Sequence, residues 1–322
     1  TKGIYRTWFN LGDISSAGKL SFFLLLTVFI IIFIEKFFRR GAKYNKNIRN
    51  DKPFIRKNLN SFYSFLMVLI CLFPIILGFA IPFITLISWS HIGFNYWDLN
   101  AFIKIILSSF SLAFLAAFIC IIFAIIIVYG LRINYKTVSP FARIASMGYS
   151  IPGAVAAIGI LIPVIWLDNL IDFVSIKFFD YSTGLLISGT WAALLFAYVV
   201  RFLALSIQSV ENSFLRISNS LDYAAKVLGS SGKDIIQNIH LKLNISGICF
   251  GILIVFVDVL KELPATMILR PYDLSTLAIR AHDLAMDERL HDASLPLITI
   301  IIVCLLPLFI VNKVILSDKR VN

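Results

Sequence analysis

The sequence predicts an all-α polytopic membrane helix bundle with about seven transmembrane helices. Three observations carry that prediction. Hydrophobic residues make up 59% of the 322-residue chain and charged residues 15%, against roughly half and a quarter in a soluble domain. The mean hydropathy is +0.88. The apolar residues gather into seven runs, about 20–38, 62–88, 101–130, 144–167, 184–208, 245–269 and 294–312, each able to cross about 30 Å of hydrocarbon at 1.5 Å per residue.

The loops between the runs alternate in charge. Loop 39–60 is strongly basic, from Arg39 and Arg40 to Arg56 and Lys57, against the single acid Asp51, so it is expected to be cytoplasmic. Loop 89–100 carries Asp98 and no Lys or Arg, with Trp89, Tyr96 and Trp97 as an interfacial belt, and is expected outside. Loop 131–143, with Arg132, Lys136 and Arg143, returns inside. Loop 168–183, with Asp168, Asp172 and Asp180 against Lys177, is outside. Loop 209–244 is inside, 270–293 outside, and the tail with Lys313, Lys319 and Arg320 inside. This places residue 1 outside and the C-terminus in the cytoplasm of a multi-pass protein. The net charge of +11 sits in short loops beside apolar runs, the positive-inside pattern rather than that of nucleic-acid binding.

Within the runs, Ser109, Ala113 and Ala117, and again Gly153 and Ala157, are four apart and form small faces for close helix packing. Pro74, Pro82, Pro152, Pro163 and Pro307 predict kinks. Cys71, Cys120, Cys249 and Cys304 all lie inside apolar runs without CxxC spacing and read as small apolar residues. A weak repeat relates IYRTWFNLGD at 4–13 to AIRAHDLAMD at 278–287, pairing Arg6 with Arg280 and Asp13 with Asp287. Each copy precedes an apolar run. The chain opens at Thr1-Lys2 without Met. Together these predict a duplicated architecture in which residues 1–40 are the last helix of a preceding half missing here, 41–60 a cytoplasmic linker, and 61–316 a transmembrane domain that includes loop 209–244.

Loop 209–244 carries helical signals. Asn219 is the expected cap of a short helix with Asp222 at its third position, and Gly229 suits the left-handed stop. Ser231 caps a second helix with Asp234 three residues on, and Ile235 and Ile239 are expected to share one face. Gly229-Ser230-Ser231-Gly232-Lys233-Asp234 has the look of a phosphate loop, but Val227 and Asp234 stand where a Walker A needs Gly and Ser or Thr.

In the sixth run Asp258, Lys261 and Glu262 interrupt apolar sequence near mid-bilayer, where each charge costs roughly 2.5–3.5 kcal/mol on insertion scales. Spacings of three and four put them on one side of a helix. They are either a self-neutralising structural cluster or the lining or gate of a pathway, with Leu263-Pro264 breaking the helix. The loop 270–293, with Arg270, Arg280, Asp283 and Asp287, is expected to be solvated or a docking surface. His91 and His240 are expected to make local hydrogen bonds. No residues cluster as a nucleophile, base or metal set, so neither catalytic residues, a metal site nor a cofactor is expected; an internal repeat with intramembrane charge is also a pattern of secondary transporters.

The run Ala224-Ala225-x-x-x-Gly229 followed by Ile239-x-Leu241 resembles the EAA loop of binding-protein-dependent ABC importer permeases. Tyr223, with Asp222 beside it, stands at that family's glutamate position and Lys242 at its proline position. Tyr149-Ser-Ile-Pro152-Gly153, Arg201-Phe-Leu-Ala-Leu205 and Lys261-Glu-Leu-Pro-Ala-Thr266 with Leu269-Arg-Pro271 resemble the ferric-iron branch, and the resemblance covers nearly the whole chain. It implies a type-1 ABC importer transmembrane domain, the C-terminal half of a double-length permease in a bacterial inner membrane. It implies a cytoplasmic ATP-binding subunit dimer and an external substrate-binding protein as partners, with ATP hydrolysis in the former. The coupling residues it implies are Asp222, Ala224, Ala225, Gly229, Ile239, His240 and Leu241 in loop 209–244. Asp258, Lys261, Glu262 and Pro264 would belong to the pathway, and Arg270, Arg280, Asp283 and Asp287 to the binding-protein contact. The implied cargo is Fe(III); relatives carry sulfate, thiamine or polyamines.

Overall fold

The computed structural model describes residues 2–9, 11–39 and 60–318. The linker expected at 41–60 thus lies outside the described residues except for Asn60, as do Lys319 and Arg320. Among the described residues all regular structure is helical. Five helical segments are long and apolar enough to cross a membrane, and a bent pair makes up to six.

A short helix, α1 (Lys2–Phe9), turns into α2 (Ile14–Arg39). The second span is α3 (Ser61–Ile75), a π-helical turn at Ile76–Ala80 and α4 (Ile81–Gly93). The π turn falls between Pro74 and Pro82, whose missing N–H groups disturb the ladder there. Apart from Gly93 no residue of this span is buried. It leans on the start of the last helix: a side chain at Gly93 would overlap the His291 carbonyl, and Trp97 Nε1 donates to the Asp292 carbonyl at 3.0 Å.

The core is built from three helices: α5 (Leu99–Ile133), α8 (Trp191–Phe214) and α12 (Ile245–Leu260). Asp98 starts α5 by accepting from the Asn100 and Ala101 amides. The expected small face is buried: Ser109, Ala113 and Ala117, extended by Ala116, Cys120 and Ala124. Lipid tails are as apolar as the side chains, so close backbone packing has to hold such helices together. α12 contributes Gly247 and Gly251 to that contact. A Cβ at Gly247 would overlap Ser213, and one at Gly251 would press on Ile121. Ser209 Oγ donates to the Gly247 carbonyl at 2.7 Å.

Between α5 and α8 the chain makes α6 (Tyr135–Ser146), a 3-10 turn at Gly148–Ser150, and α7 (Gly153–Phe179). Here the sequence-based boundaries need correction. The fourth apolar run covers 144–167, but Pro152 acts as N-cap and the span starts at Gly153. It continues through Asp168 and Asp172, which were assigned to an outer loop. Asp168 is fully buried and accepts from the Leu186, Ile187 and Ser188 amides. Those bonds, with Gly184 and Gly189 at positive φ, hold 180–190 as a loop, so the fifth span starts at Trp191 rather than 184.

After α8 come α9 (Asn219–Val227), α10 (Gly232–Asp234), a π-helical turn at Ile235–His240 and α11 (Leu241–Leu243), which meets α12 at a bend of 66°. The sixth run does not cross as one rod. α12 stops at Leu260, and α13 (Pro264–Leu269) follows as a separate turn. The expected break at Leu263-Pro264 is present. The segment 270–293 is not a solvated loop, however. α14 (Leu277–Met286) buries Leu277, Ile279, Ala281 and Leu284, and the Leu277 amide donates to Ser109 Oγ of α5 at 2.8 Å. The seventh run forms α15 (Leu290–Asp318). The two segments of the weak repeat thus both fold as a short helix followed by a long apolar one, α1–α2 and α14–α15.

Two of the described loop pairs meet at opposite ends of α5. Arg132 and Tyr129 meet the 209–244 segment at one end; Tyr96 and Trp97 meet 280–292 at the other. The glycine contacts generate a prediction. Gly247→Val should lower the thermal stability of the detergent-solubilised protein by an amount in the overpacking range, about 1–3 kcal/mol, while the same change at exposed Gly78 should have little effect on this packing.

Candidate functional site

Two linked sites emerge. The first lies in the middle of the bundle, where the three stretches 149–153, 201–205 and 258–266 converge. Arg201 is ten residues from Trp191 and thirteen from Phe214 along α8, about 15 and 20 Å from its two ends at 1.5 Å per residue. Its guanidinium pairs with Glu262. Glu262 also accepts from the Ala265 amide at 3.1 Å. Gly153, the first residue of α7, lies so close that a Cβ there would overlap both Arg201 Nη1 and Glu262 Oε1. The carboxylate therefore sits among a guanidinium, the first turn of α13 and the positive end of α7. Thr266 Oγ1 donates to the Glu262 carbonyl and accepts from Tyr198, whose hydroxyl lies 2.6 Å away.

The neighbouring acid is served separately. Lys261 Nζ reaches Asp258 Oδ1 at 2.6 Å, and Tyr149 Oη donates to Asp258 Oδ2 at 3.2 Å. The trio expected on one helix side thus splits into two pairs: Asp258 with Lys261, and Glu262 with Arg201. Pro264 is the first residue of α13 and allows the turn that carries Glu262 toward α8. The charges differ in exposure. Asp258 and Glu262 are buried, at 8% and 6% exposure, whereas 60% of the Lys261 side chain is open.

The second site is the elbow 218–244. Its first helix is capped by Ser218, which accepts from the Ser220 amide; Asn219, the expected cap, is the first helical residue instead. Gly229 has φ +82°, the left-handed stop that was expected. Ser231 and Asp234 form the expected capping box. Ile235 and Ile239 do not share the buried face. The π turn widens the helix, so that Ile235 and His240, five apart, are the buried pair.

Asp222 pins the elbow to the bundle. Its Oδ2 accepts from Arg132 Nε at 2.7 Å, and its Oδ1 lies 2.8 Å from His240 Nε2. Arg132 also donates to the carbonyls of Phe214, Ile217 and Ser218. The His240 ring is buried between Tyr129 and Phe214. Burial works to raise the Asp222 pKa, but the hydrogen bonds and charges of Arg132 and His240 outweigh it and hold the carboxyl below its ordinary value. Asp222, Ala225 and His240 therefore face the spans, and Ile239 and Leu241 are half-buried. Ala224 and Gly229 are exposed, with Tyr223, Val227 and Leu228 beside them; the last two are 87% and 85% exposed. Tyr223, Val227 and Leu228 give this part of the elbow an exposed apolar tip.

The opposite end holds the remaining expected residues. Arg280 donates to Tyr96 Oη at 2.7 Å and lies over the Trp97 ring. Arg270 donates to the Leu274 carbonyl. Asp283 is half-buried near His282, and Asp287 is exposed. Arg270 and Arg280 thus brace the fold, and the four do not form one patch through mutual bonds. Sequence reasoning missed Arg201 as the partner of Glu262 and Arg132 as the partner of Asp222. A charge inside an apolar run was a signal for the first; nothing in the spacing pointed to the second.

Two predictions follow from this geometry. Glu262→Gln leaves Arg201 unpaired inside the bundle and should cost about 3–5 kcal/mol, while Arg201→Met with Glu262→Met together should recover most of it; chemical denaturation in detergent measures both. For Asp222 the folded pKa lies below the unfolded one. Its contribution is present above the ordinary carboxylate range and lost as pH falls through the lowered value. Protease protection of the elbow should therefore show an acid-side step that Asp222→Asn lacks.

No family model matches the sequence. The chain is similar to the Fe(3+)-transport system permease protein FbpB 2 of Haemophilus influenzae, with 22% identity over 319 residues, covering 97% of this chain. It spans 60% of that relative's length. Among solved structures it is similar to a chain of a bacterial alginate ABC transporter in complex with an alginate pentasaccharide-bound periplasmic protein, at TM-score 0.58 and 13% identity over 78% of this chain and 93% of that one. A second bacterial ABC transporter, involved in import of the acidic polysaccharide alginate, matches at TM-score 0.54 and 12% identity over 81% and 96%. This multi-pass membrane chain has the fold of ABC importer transmembrane domains.

Proposed function

We propose that the chain is a membrane-spanning permease subunit of an ATP-driven, binding-protein-dependent importer, with ferric iron as its cargo. The observation that carries this reading is the elbow. It presents an apolar tip at Tyr223, Val227 and Leu228 while Asp222 ties its other face to Arg132 of α5 and to His240 in the turn that leads into α12. A connector with no partner gains nothing from exposed apolar residues on a rigid mount. The fold likeness and the iron-permease relative agree with it.

In this reading the elbow end faces the cytoplasm and meets an ATP-binding subunit dimer, which carries the hydrolysis. This chain supplies no catalytic residue and needs no cofactor. Closure of the dimer pushes the tip. The clamp passes the push to α5 through Arg132 and to α12 through His240 and the bend at Asn244. α12 carries Asp258 and ends at Leu260, next to Lys261 and Glu262, so the displacement arrives at the charged groups, of which Lys261 is open to the pathway. The end bearing Arg270, Arg280, Asp283 and Asp287 faces outward toward the substrate-binding protein, and of these four Asp287 is the exposed one.

Changing Leu228 to Asp should abolish co-purification of the ATP-binding subunit, with a loss of at least about thirtyfold in affinity for a 2 kcal/mol contact, and with it ATP-dependent uptake of labelled ferric iron, while membrane insertion is kept. An unaltered wild-type uptake in cells lacking the ATP-binding subunit would sink the reading.

A further inference from the structure

We propose that the Lys261 ammonium is a binding point for the cargo, and that the cargo passes it as an anion or an anionic metal chelate rather than as a bare cation. The proposal rests on the permease reading above and names the charge class of what is carried.

Depth comes first. Glu262, the next residue, is bound to Arg201 near the middle of α8, so Lys261 stands at about the same level. An ammonium at that depth cannot face hydrocarbon without a cost of roughly 2.5–3.5 kcal/mol or more. Yet 60% of this side chain is open in the chain. An open ammonium at mid-span faces a wet cavity or a protein surface.

The second observation is which groups have hydrogen-bonding capacity left. Both Asp258 oxygens are engaged, one by Lys261 and one by Tyr149, and the residue is buried. Glu262 is buried between Arg201 and the Ala265 amide. Both carboxylates are thus buried and turned inward. Lys261 has three N–H donors, and Asp258 takes one. The donors left toward the open side are cationic. A bare hard cation needs several oxygen ligands, and among the described residues no group of three or more His, Cys, Asp or Glu is placed to hold a metal ion. The same face suits phosphate or carboxylate oxygens, free or already wrapped around a metal.

A native reporter lies beside it. Cys304 on α15 is half-exposed, and α15 packs against α12, which ends next to Lys261. The experiment uses the full chain in membrane vesicles, with Cys71, Cys120 and Cys249 changed to Ser, and compares Cys304 labelling by anionic and cationic methanethiosulfonates. The anionic reagent should react faster by about tenfold, the lower end of electrostatic focusing in a charged cleft. The preference should vanish in Lys261→Met and return in Lys261→Arg. Orthophosphate or ferric citrate should slow the labelling; protection by orthophosphate identifies a simple anion, protection by ferric citrate alone a metal chelate. No charge preference, the same preference in Lys261→Met, or no protection by either compound overturns the proposal. Labelling requires neither the ATP-binding subunit nor uptake, so failure of the coupling test rejects the permease reading separately from this one.

Discussion

The Glu262 carboxylate sits near the middle of the bundle, and much of the core is arranged to keep it solvated without water. Three positive features surround it: Arg201 from α8, the Ala265 amide at the start of α13, and the first residue of α7 at Gly153. Each depends on a local choice in the sequence. Pro152 ends the preceding turn so that α7 can begin at this depth. Gly153 has no side chain and lets the ion pair approach. Leu263-Pro264 breaks the helix after α12, so that Glu262 turns toward α8 rather than continuing along the α12 axis. The pair would be a poor source of stability by itself, since desolvation takes back most of the attraction. Its effect is to fix where α7, α8, α12 and α13 meet.

This arrangement explains which parts were legible in the sequence. The apolar runs and the charge alternation announced the bundle, and the small faces at Ser109, Ala113 and Ala117 announced its tightest packing. The fourth and fifth boundaries were misjudged because hydropathy does not see backbone breaks: Pro152-Gly153 delays α7, and buried Asp168, read as a loop residue, lies within that helix and organises the loop after it. The segment 270–293 reads as polar, yet its apolar residues at 277, 279, 281 and 284 are the ones turned inward. Tertiary pairs were the least legible. Asp222 and Arg132 are ninety positions apart, and no local spacing encodes such a meeting.

The two sites are mechanically continuous. Asp222 binds Arg132, at the end of α5, and His240, five residues before the start of α12. α12 then packs through Gly247 and Gly251 against α8 and α5 with no room for slack, and ends beside Asp258. A displacement at the elbow has few soft elements in which to dissipate before it reaches the charged centre. The bend at Asn244, whose side-chain amide is buried and makes no protein hydrogen bond, lies on that line.

The π turn at Ile235–His240 has a consequence for this line of transmission. It holds one residue more per hydrogen-bonded loop than an α-helix, and one residue is about 100° of rotation. It therefore sets the phase between the elbow and the rod that follows. With it, His240 points at Asp222 while Asp258, eighteen positions later, points at Tyr149. Removing a single residue from this turn could preserve the helix content of the segment and still leave the two contacts unable to form together, much as a gear shifted by one tooth still turns but no longer meshes.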